Sequence, residues 1–273
     1  VTGFILTFHA HNISGNTYET NDHVALDESL ALLRREGIPV LRALEVVRRM
    51  RMKLFGTLPD RFVCLTFDDG SDFDWRDLAH GAEGRQASMY AVLRKHSRRL
   101  LGPFWLRHFP ATTFVIASAE ARREISQSAF QDPGLMSDDW WRAAQGSGLL
   151  DIGSHGWDHV HPAVASVRER PGLAESFHAV SGAAEARVQV DDALRYIRAR
   201  AGGDAGRLFA YPYGQVSDYL ADEYFPRQSD TFGAFAAAPE PLHAQSDPWR
   251  LPRYVCGFHW KSSEELLRLV SGG

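Results

Sequence analysis

Seven apolar runs of strand length recur along the chain, and this recurrence limits the fold more than any other feature. They cover Phe4 to Phe8, Phe62 to Phe67, Thr112 to Ile116, Leu149 to Ile152, Leu208 to Tyr211, Thr231 to Phe235 and Arg253 to Val255. Segments with helical spacing lie between them. Leu26, Leu30 and Leu33 share one helical face, Leu41, Leu44 and Val47 a second, and Val190, Leu194 and Ile197 a third. Ser262 and Glu265 form a capping-box pattern ahead of Leu266, Leu267 and Leu269, which marks a last helix. Strands that alternate with helices pair in parallel, because a parallel neighbour needs a long crossover and a helix fills it. The expected fold is therefore an α/β barrel, irregular because it has seven units. In such barrels chemistry collects where strands end and loops begin. The 273 residues suit one catalytic domain spanning 1–273. Residues 71–110 are long for one connection and carry a helical pattern from Ala87 to Leu101, so they read as an insertion that shapes the site.

Apolar residues at 44% and charged residues at 23% supply a core and argue against wholesale disorder. A formal net charge of -4 offers no general attraction to nucleic acid or to an anionic membrane, and neither is expected as a partner. The basic clusters Arg48 to Lys53 and Arg94 to Arg99 fall on amphipathic helical patterns and read as solvated faces. Cys64 and Cys256 are too few for a disulfide framework, and Cys64 lies within an apolar run as a buried thiol would. The N-terminal apolar run lacks a basic flank and a cleavage signal, so it reads as a first strand. No run is long enough for an integral membrane segment, and a cytoplasmic location is the expectation.

Two segments carry the chemistry. Leu65-Thr66-Phe67-Asp68-Asp69-Gly70 ends a strand with adjacent carboxylates at the expected barrel mouth. Taken alone it is equally a loop acid pair or a helix cap. A metal separates two such acids: one becomes a ligand and the other stays free to accept a proton from water. Asp151-Ile152-Gly153-Ser154-His155-Gly156-Trp157-Asp158-His159 is a second strand running into a polar turn, with histidines four apart that meet at one centre on a helical turn. That pair alone is a weak signal. Two imidazoles and one carboxylate together leave open positions on a metal, which is a hydrolytic rather than a structural pattern.

Thr66-Phe67-Asp68-Asp69-Gly70 followed by Ser154-His155-Gly156-Trp157-Asp158-His159 resembles the polysaccharide deacetylase pattern, also called the NodB homology domain or carbohydrate esterase family 4. Phe209-Ala210-Tyr211-Pro212-Tyr213-Gly214 is similar to the family's third motif, and Leu251-Pro252-Arg253 to a later one. Phe8-His9-Ala10-His11 and the Asn21-Asp22-His23 turn resemble the opening of members that act on exopolysaccharides. The resemblance implies a distorted (β/α)7 barrel. It implies one divalent metal, taken as zinc, on Asp69, His155 and His159, with Asp68 as base and the Tyr213 backbone N–H as oxyanion donor. The implied reaction removes an acetyl group from an N-acetylated sugar or glycan.

Two departures stand out. Ala210 occupies the place where the family often has an arginine that orients the base, and Arg253 is the candidate replacement. The motif that supplies a catalytic acid histidine is incomplete, with His259 nearest its place and His9 and His11 as alternatives. His161, His23, His80, His96, His108, His178 and His243 read as surface or packing residues. Trp140-Trp141 reads as core, with a sugar-stacking platform as the alternative. A metal-free hydrolase of cyclic ureides or imides, or another amide, is the competing reaction class. A non-catalytic carbohydrate-binding module would require loss of the base or a ligand.

Overall fold

The computed structural model describes residues 1–97, 108–170, 172–174, 176–227 and 230–272. Its strands are β1 (Thr2–Phe8), β2 (Arg61–Phe67), β3 (Leu78–His80), β4 (Gly84–Gln86), β5 (Ala111–Val115), β6 (Leu150–Ser154), β7 (Leu208–Ala210), β8 (Gly233–Phe235) and β9 (Tyr254–Val255). Seven of them form one sheet in the order β8-β7-β6-β5-β2-β1-β9, with every pairing parallel. All seven apolar runs are in it, with ends shifted by a residue or two. The antiparallel pair β3–β4 stands apart.

The sheet curls until its edges approach. Leu251 exchanges backbone hydrogen bonds with β8, from its N–H to Ala234 O (2.8 Å) and to its carbonyl from Ala236 N–H (2.8 Å). A few residues on, β9 pairs with β1. Residues 251–255 thus close the distorted barrel between β8 and β1, and Arg253 lies on that seam.

Strand side chains alternate between faces. Ile5, Phe62, Cys64, Phe114, Leu208, Ala210, Phe235 and Leu251 form one cluster drawn from around the barrel, which α2 (Ala43–Arg51) joins through Leu44, Val46 and Val47. The opposite parity, including Phe4, Leu6, Phe8, Val63, Leu65, Phe67 and Ile152, packs outward against α1 (Asp22–Arg35), α3 (Met89–His96) and the last helix, Ser263–Ser271. Leu41 precedes α2 rather than belonging to it. Its N–H bonds Val63 O (2.8 Å), extending the sheet at the start of β2.

Other expectations change locally. The helix placed over Ala87 to Leu101 runs from Met89 to His96, capped by Ser88, and residues 98–107 lie outside the described residues. The capping box is incomplete: Ser262 Oγ accepts from Glu265 N–H (3.2 Å), while the Glu265 carboxylate reaches Lys261 N–H (2.7 Å), one residue too early. Trp140 and Trp141 are 1% and 0% exposed, so they are core and offer no platform. Arg48 pairs with Asp204 and Arg49 with Glu45 across α2, as a solvated face would.

Gly153 sits where β6 passes Phe114, and an added Cβ would come within 2.5 Å of that ring. Phe114 fills the interior beneath Arg253 (5.5 Å from guanidinium to ring centre). Gly153→Ala should therefore overpack the barrel and destabilise the protein by about 1 to 3 kcal/mol, read as a shift in urea midpoint. An unchanged midpoint would show that Phe114 can move aside.

Candidate active site

β2 delivers its two carboxylates to different environments. Asp68 keeps the inward parity of Cys64 and Thr66 and is buried at the mouth. Arg253 meets it with two hydrogen bonds, Nη1 to Oδ1 (2.7 Å) and Nη2 to Oδ2 (2.9 Å). This parallel geometry is the strongest a carboxylate and a guanidinium can adopt. The third side of Arg253 is satisfied by Nε donating to Ala236 O (2.9 Å). Burial alone would raise the Asp68 pKa, but Arg253, then His155 and His9, outweigh it and hold the carboxyl below its ordinary range. At Asp69 the backbone turns left-handed (φ 73) and Gly70 follows (φ 70), so the second carboxylate swings toward the histidines. There too burial is outweighed, by His159, His11 and His155, and the carboxyl stays ionised. A third carboxyl, Asp74, is fully buried nearby and accepts from Thr113 Oγ1 (2.6 Å). Burial chiefly, with Asp69, Asp68 and Asp72 adding to it, pushes Asp74 well above the usual range.

β6 ends at Ser154, and His155 follows. Its Nδ1 lies 2.8 Å from Ala210 O and must donate to it, which leaves the Nε2 lone pair facing the carboxylates. His155 Nε2 is 3.6 Å from Asp69 Oδ1, and His159 Nε2 is 3.5 Å from the same oxygen. The histidines do not meet on a helical turn as their spacing suggested. His159 (φ 60) and Val160 (φ 44) are both left-handed, a conformation costly for a β-branched residue.

Side-chain bonds hold this loop. Asp158 Oδ1 accepts from Val160 N–H (3.0 Å) and from Gln189 Nε2 (2.7 Å), while Gln189 Oε1 accepts from Trp157 N–H (2.9 Å). Arg170 binds the other Asp158 oxygen and also Glu185 (2.8 Å). Gln189 rides on a π-helical turn, Arg187–Asp192, an irregularity frequent near functional sites. Gly156 is required here: its φ is 81, and an added Cβ would lie 2.9 Å from Gln189 Oε1. Gln189 and Arg170 were not identified from sequence, because no local pattern links them to the loop they support.

Asp69, His155 and His159 offer ligand atoms that all lie within 4.8 Å of one another. Ligands about 2.0 to 2.1 Å from a tetrahedral zinc stand about 3.4 Å apart. The nitrogen-to-oxygen distances of 3.5 and 3.6 Å fit a shared ion. Burial, reinforced by His155, pushes His159 down to about 3, so its imidazole is neutral, as a ligand must be.

All seven residues singled out from sequence, Asp68, Asp69, His155, His159, Arg253, Tyr213 and His259, line one cavity of about 590 Å³. Tyr213 follows β7 with a left-handed backbone (φ 58) and packs its ring edgewise on His159 (4.5 Å). Val255 N–H donates to His259 Nδ1 (2.7 Å), so the neutral ring carries its proton on Nε2. Burial lowers the His259 pKa. His9 and His11 face the mouth as well. The His9 N–H donates to Asp22 (2.6 Å), its Nδ1 is buried with no hydrogen-bond partner among the described residues, and His11 Nδ1 is 3.5 Å from Asp69 Oδ2. His161, read from sequence as a surface or packing residue, lines the cavity 6.1 Å from the His159 ring. His23 is structural, bonding Ala10 O and Ala87 O.

Two consequences are measurable. Gln189→Leu leaves the Trp157 N–H without its partner and removes one of the donors to Asp158, and zinc affinity should fall about tenfold with the fold retained. Competition with a chelating dye checks this, and unchanged affinity would separate Gln189 from the ligand loop. In the metal-free protein His159 titrates near 3 rather than near the ordinary 6.5, and burial lowers His9 too. The unfolded chain therefore binds more protons across this window, so stability should fall as pH drops from about 6.5 toward about 3 and be insensitive to these rings above it. Urea midpoints across the window should show a smaller drop in His159→Phe.

With the geometry in place, known proteins can be compared. Residues 55–224, well over half of the chain, match the family model of polysaccharide deacetylases. No curated protein matches. Among solved structures, the chain is similar to the Streptococcus pyogenes deacetylase PplD in complex with acetate, at 17% identity and TM-score 0.67 over 99% of this chain and 98% of that one. It is also similar to IcaB from Ammonifex degensii, at 19% identity and TM-score 0.62 over 98% and 97% of the two chains. BC0361, a polysaccharide deacetylase from Bacillus cereus, gives 14% identity and TM-score 0.61 over 99% of this chain and 69% of that one. At such identities these structures speak to the fold, the distorted barrel derived above, and the family match supplies the rest. The chain belongs to the polysaccharide deacetylase family, a family of carbohydrate esterases.

Proposed function

We propose that the protein is a metal-dependent hydrolase that removes the acetyl group from an N-acetylated amino sugar of a glycan, releasing acetate and a free amine. The observation that carries this reading is the Asp69–His155–His159 ligand set beside a carboxylate gripped by Arg253, in one cavity of a carbohydrate deacetylase family member.

Each residue has a role in the reaction. Asp68 takes a proton as a water oxygen bonds to the acetyl carbon. Arg253 keeps Asp68 ionised and aims it, but the same pairing makes Asp68 a weak base. A divalent ion on Asp69, His155 and His159 would meet that weakness by acidifying water and polarising the carbonyl. As the carbon–nitrogen bond breaks, the amine takes up a proton, either the one held by Asp68 or one donated by a histidine. His259 presents Nε2–H, yet becoming an imidazolium would forfeit its bond from Val255 N–H. That makes it a better hydrogen-bond donor to the substrate than a proton source. The Tyr213 backbone N–H is assigned to the carbonyl oxygen, where one aimed donor lowers a barrier by about 3 to 4 kcal/mol. Metal-free opening of a cyclic ureide is disfavoured because the complete ligand set would have no role in it.

The test is acetate release from N-acetylated sugars and oligosaccharides by protein as purified, chelated, and resupplied with zinc. Release should vanish with chelator and return with zinc, and Asp68→Asn should retain zinc while losing at least a hundredfold in kcat, the lower range of general-base effects, about 10² to 10⁴. Activity that survives chelation would overturn the metal assignment, and a fully active Asp68→Asn the base.

A further inference from the structure

Five large apolar side chains among the described residues are substantially exposed: Val1, Met52, Leu54, Tyr213 and Phe258. Val1 ends the chain as given, and Met52 and Leu54 lie together just past α2. The other two line the same cavity, and Phe258, at 81%, is the most exposed of all. Isolated exposed apolar residues are ordinary, but two aromatics on the rim of one concave site are not.

Phe258 is held out by a fixed turn. Cys256 bridges Trp260, Gly257 N–H donates to Trp260 O (2.9 Å), and His259 N–H donates to Val255 O (2.9 Å). Trp260 roots the turn: it is 1% exposed, packs edgewise on Phe8 (5.6 Å) and donates Nε1–H to Tyr18 Oη (2.8 Å). The turn is anchored by its neighbours, and the Phe258 ring projects beyond them.

Topology places the two rings beyond different strand ends of one trough-like cavity. Tyr213 follows β7 and Phe258 follows β9, and β8 runs between β7 and the closing segment, so the strand ends stand about two sheet spacings, roughly 10 Å, apart. Beside Tyr213 the lining is small. Gly214 and Ala237 both face the cavity, so close that a Cβ on Gly214 would fall 2.3 Å from that of Ala237. Two exposed aromatic side chains on a cavity that also presents Arg253 and His259 suit a flat body with apolar faces and polar edges, which describes a pyranose ring. Tyr213 leans on the ligand His159, and Phe258 adjoins His259, so a ring in the trough would neighbour the reacting amide.

We propose that Tyr213 and Phe258 form a subsite for the sugar next to the one being deacetylated, and that Phe258 makes the site prefer a glycan chain over a single amino sugar. This rests on the cavity being the glycan site proposed above.

The test uses the full chain with Asp68→Asn, so that ligand survives, and measures Kd by calorimetry for N-acetylglucosamine and for its β-1,4 and β-1,6 oligomers. Affinity should rise from monosaccharide to oligomer. Adding Phe258→Ala should cost about tenfold on oligomers, the order of burying one aromatic ring, with the monosaccharide within twofold and the far-UV spectrum unchanged. Phe258→Trp should restore oligomer affinity, which a merely structural role would not predict. Oligomers that bind no tighter than the monosaccharide, an affinity indifferent to Phe258→Ala, or no oligomer binding at all would overturn the subsite. Phe258-dependent binding with no acetate release by the Asp68 protein would overturn the deacetylase reading and leave the subsite standing. Acetate release with a KM for oligomers indifferent to Phe258→Ala would do the reverse.

Discussion

The pairing of Arg253 with Asp68 is the contact on which the site's geometry depends. It joins the seam that closes the barrel to the strand that carries both acids, two stretches 185 residues apart in sequence. Both partners are buried, and a buried ion pair survives only when geometry and surrounding hydrogen bonds offset desolvation. Here two parallel bonds to the carboxylate, a third to Ala236 O and the face of Phe114 meet that condition. Loss of the arginine would leave Asp68 as an uncompensated charge at the barrel mouth. Closure of the sheet and ionisation of Asp68 therefore depend on the same residue.

A second constraint is the number of charges the mouth tolerates. Asp68, Asp69 and Asp74 crowd together, and three ionised acids would repel strongly. Each is treated differently. Asp68 is matched by a guanidinium, Asp69 faces imidazoles, and burial pushes the pKa of Asp74 up, against its ionisation. The neutral His159, with its depressed pKa, leaves Asp69 as the negative member of the Asp69–His155–His159 cluster, whose ligand atoms stand close enough to share an ion.

The ligand loop shows how local strain is carried by remote support. His159 and Val160 adopt backbone conformations that an isolated chain would avoid, and the compensation lies in Asp158, Gln189 and Arg170. The π-helical turn brings Gln189 to that loop, and Gly156 leaves it room. The loop that carries His155 and His159 is thus held partly by a helical turn distant in sequence.

The sequence by itself determined the alternation of strands and helices and the short segments holding Asp68, Asp69, His155 and His159. All of these are local: periodicity and close spacing survive in one dimension. It also offered Arg253 as a partner for Asp68, because the resemblance left the place of the family's base-orienting arginine filled by Ala210 and Arg253 stands in a later matching motif. Only the tertiary structure decided that the histidines meet through a left-handed loop rather than a helical turn, that His161 faces the cavity, and that Trp140 and Trp141 are core. It alone joined Gln189 to the loop that carries His155 and His159, and brought Phe258 and Tyr213 to one cavity. The reason is physical: burial, desolvation and strain depend on what packs against a residue from distant parts of the chain, and no spacing along the chain encodes those neighbours.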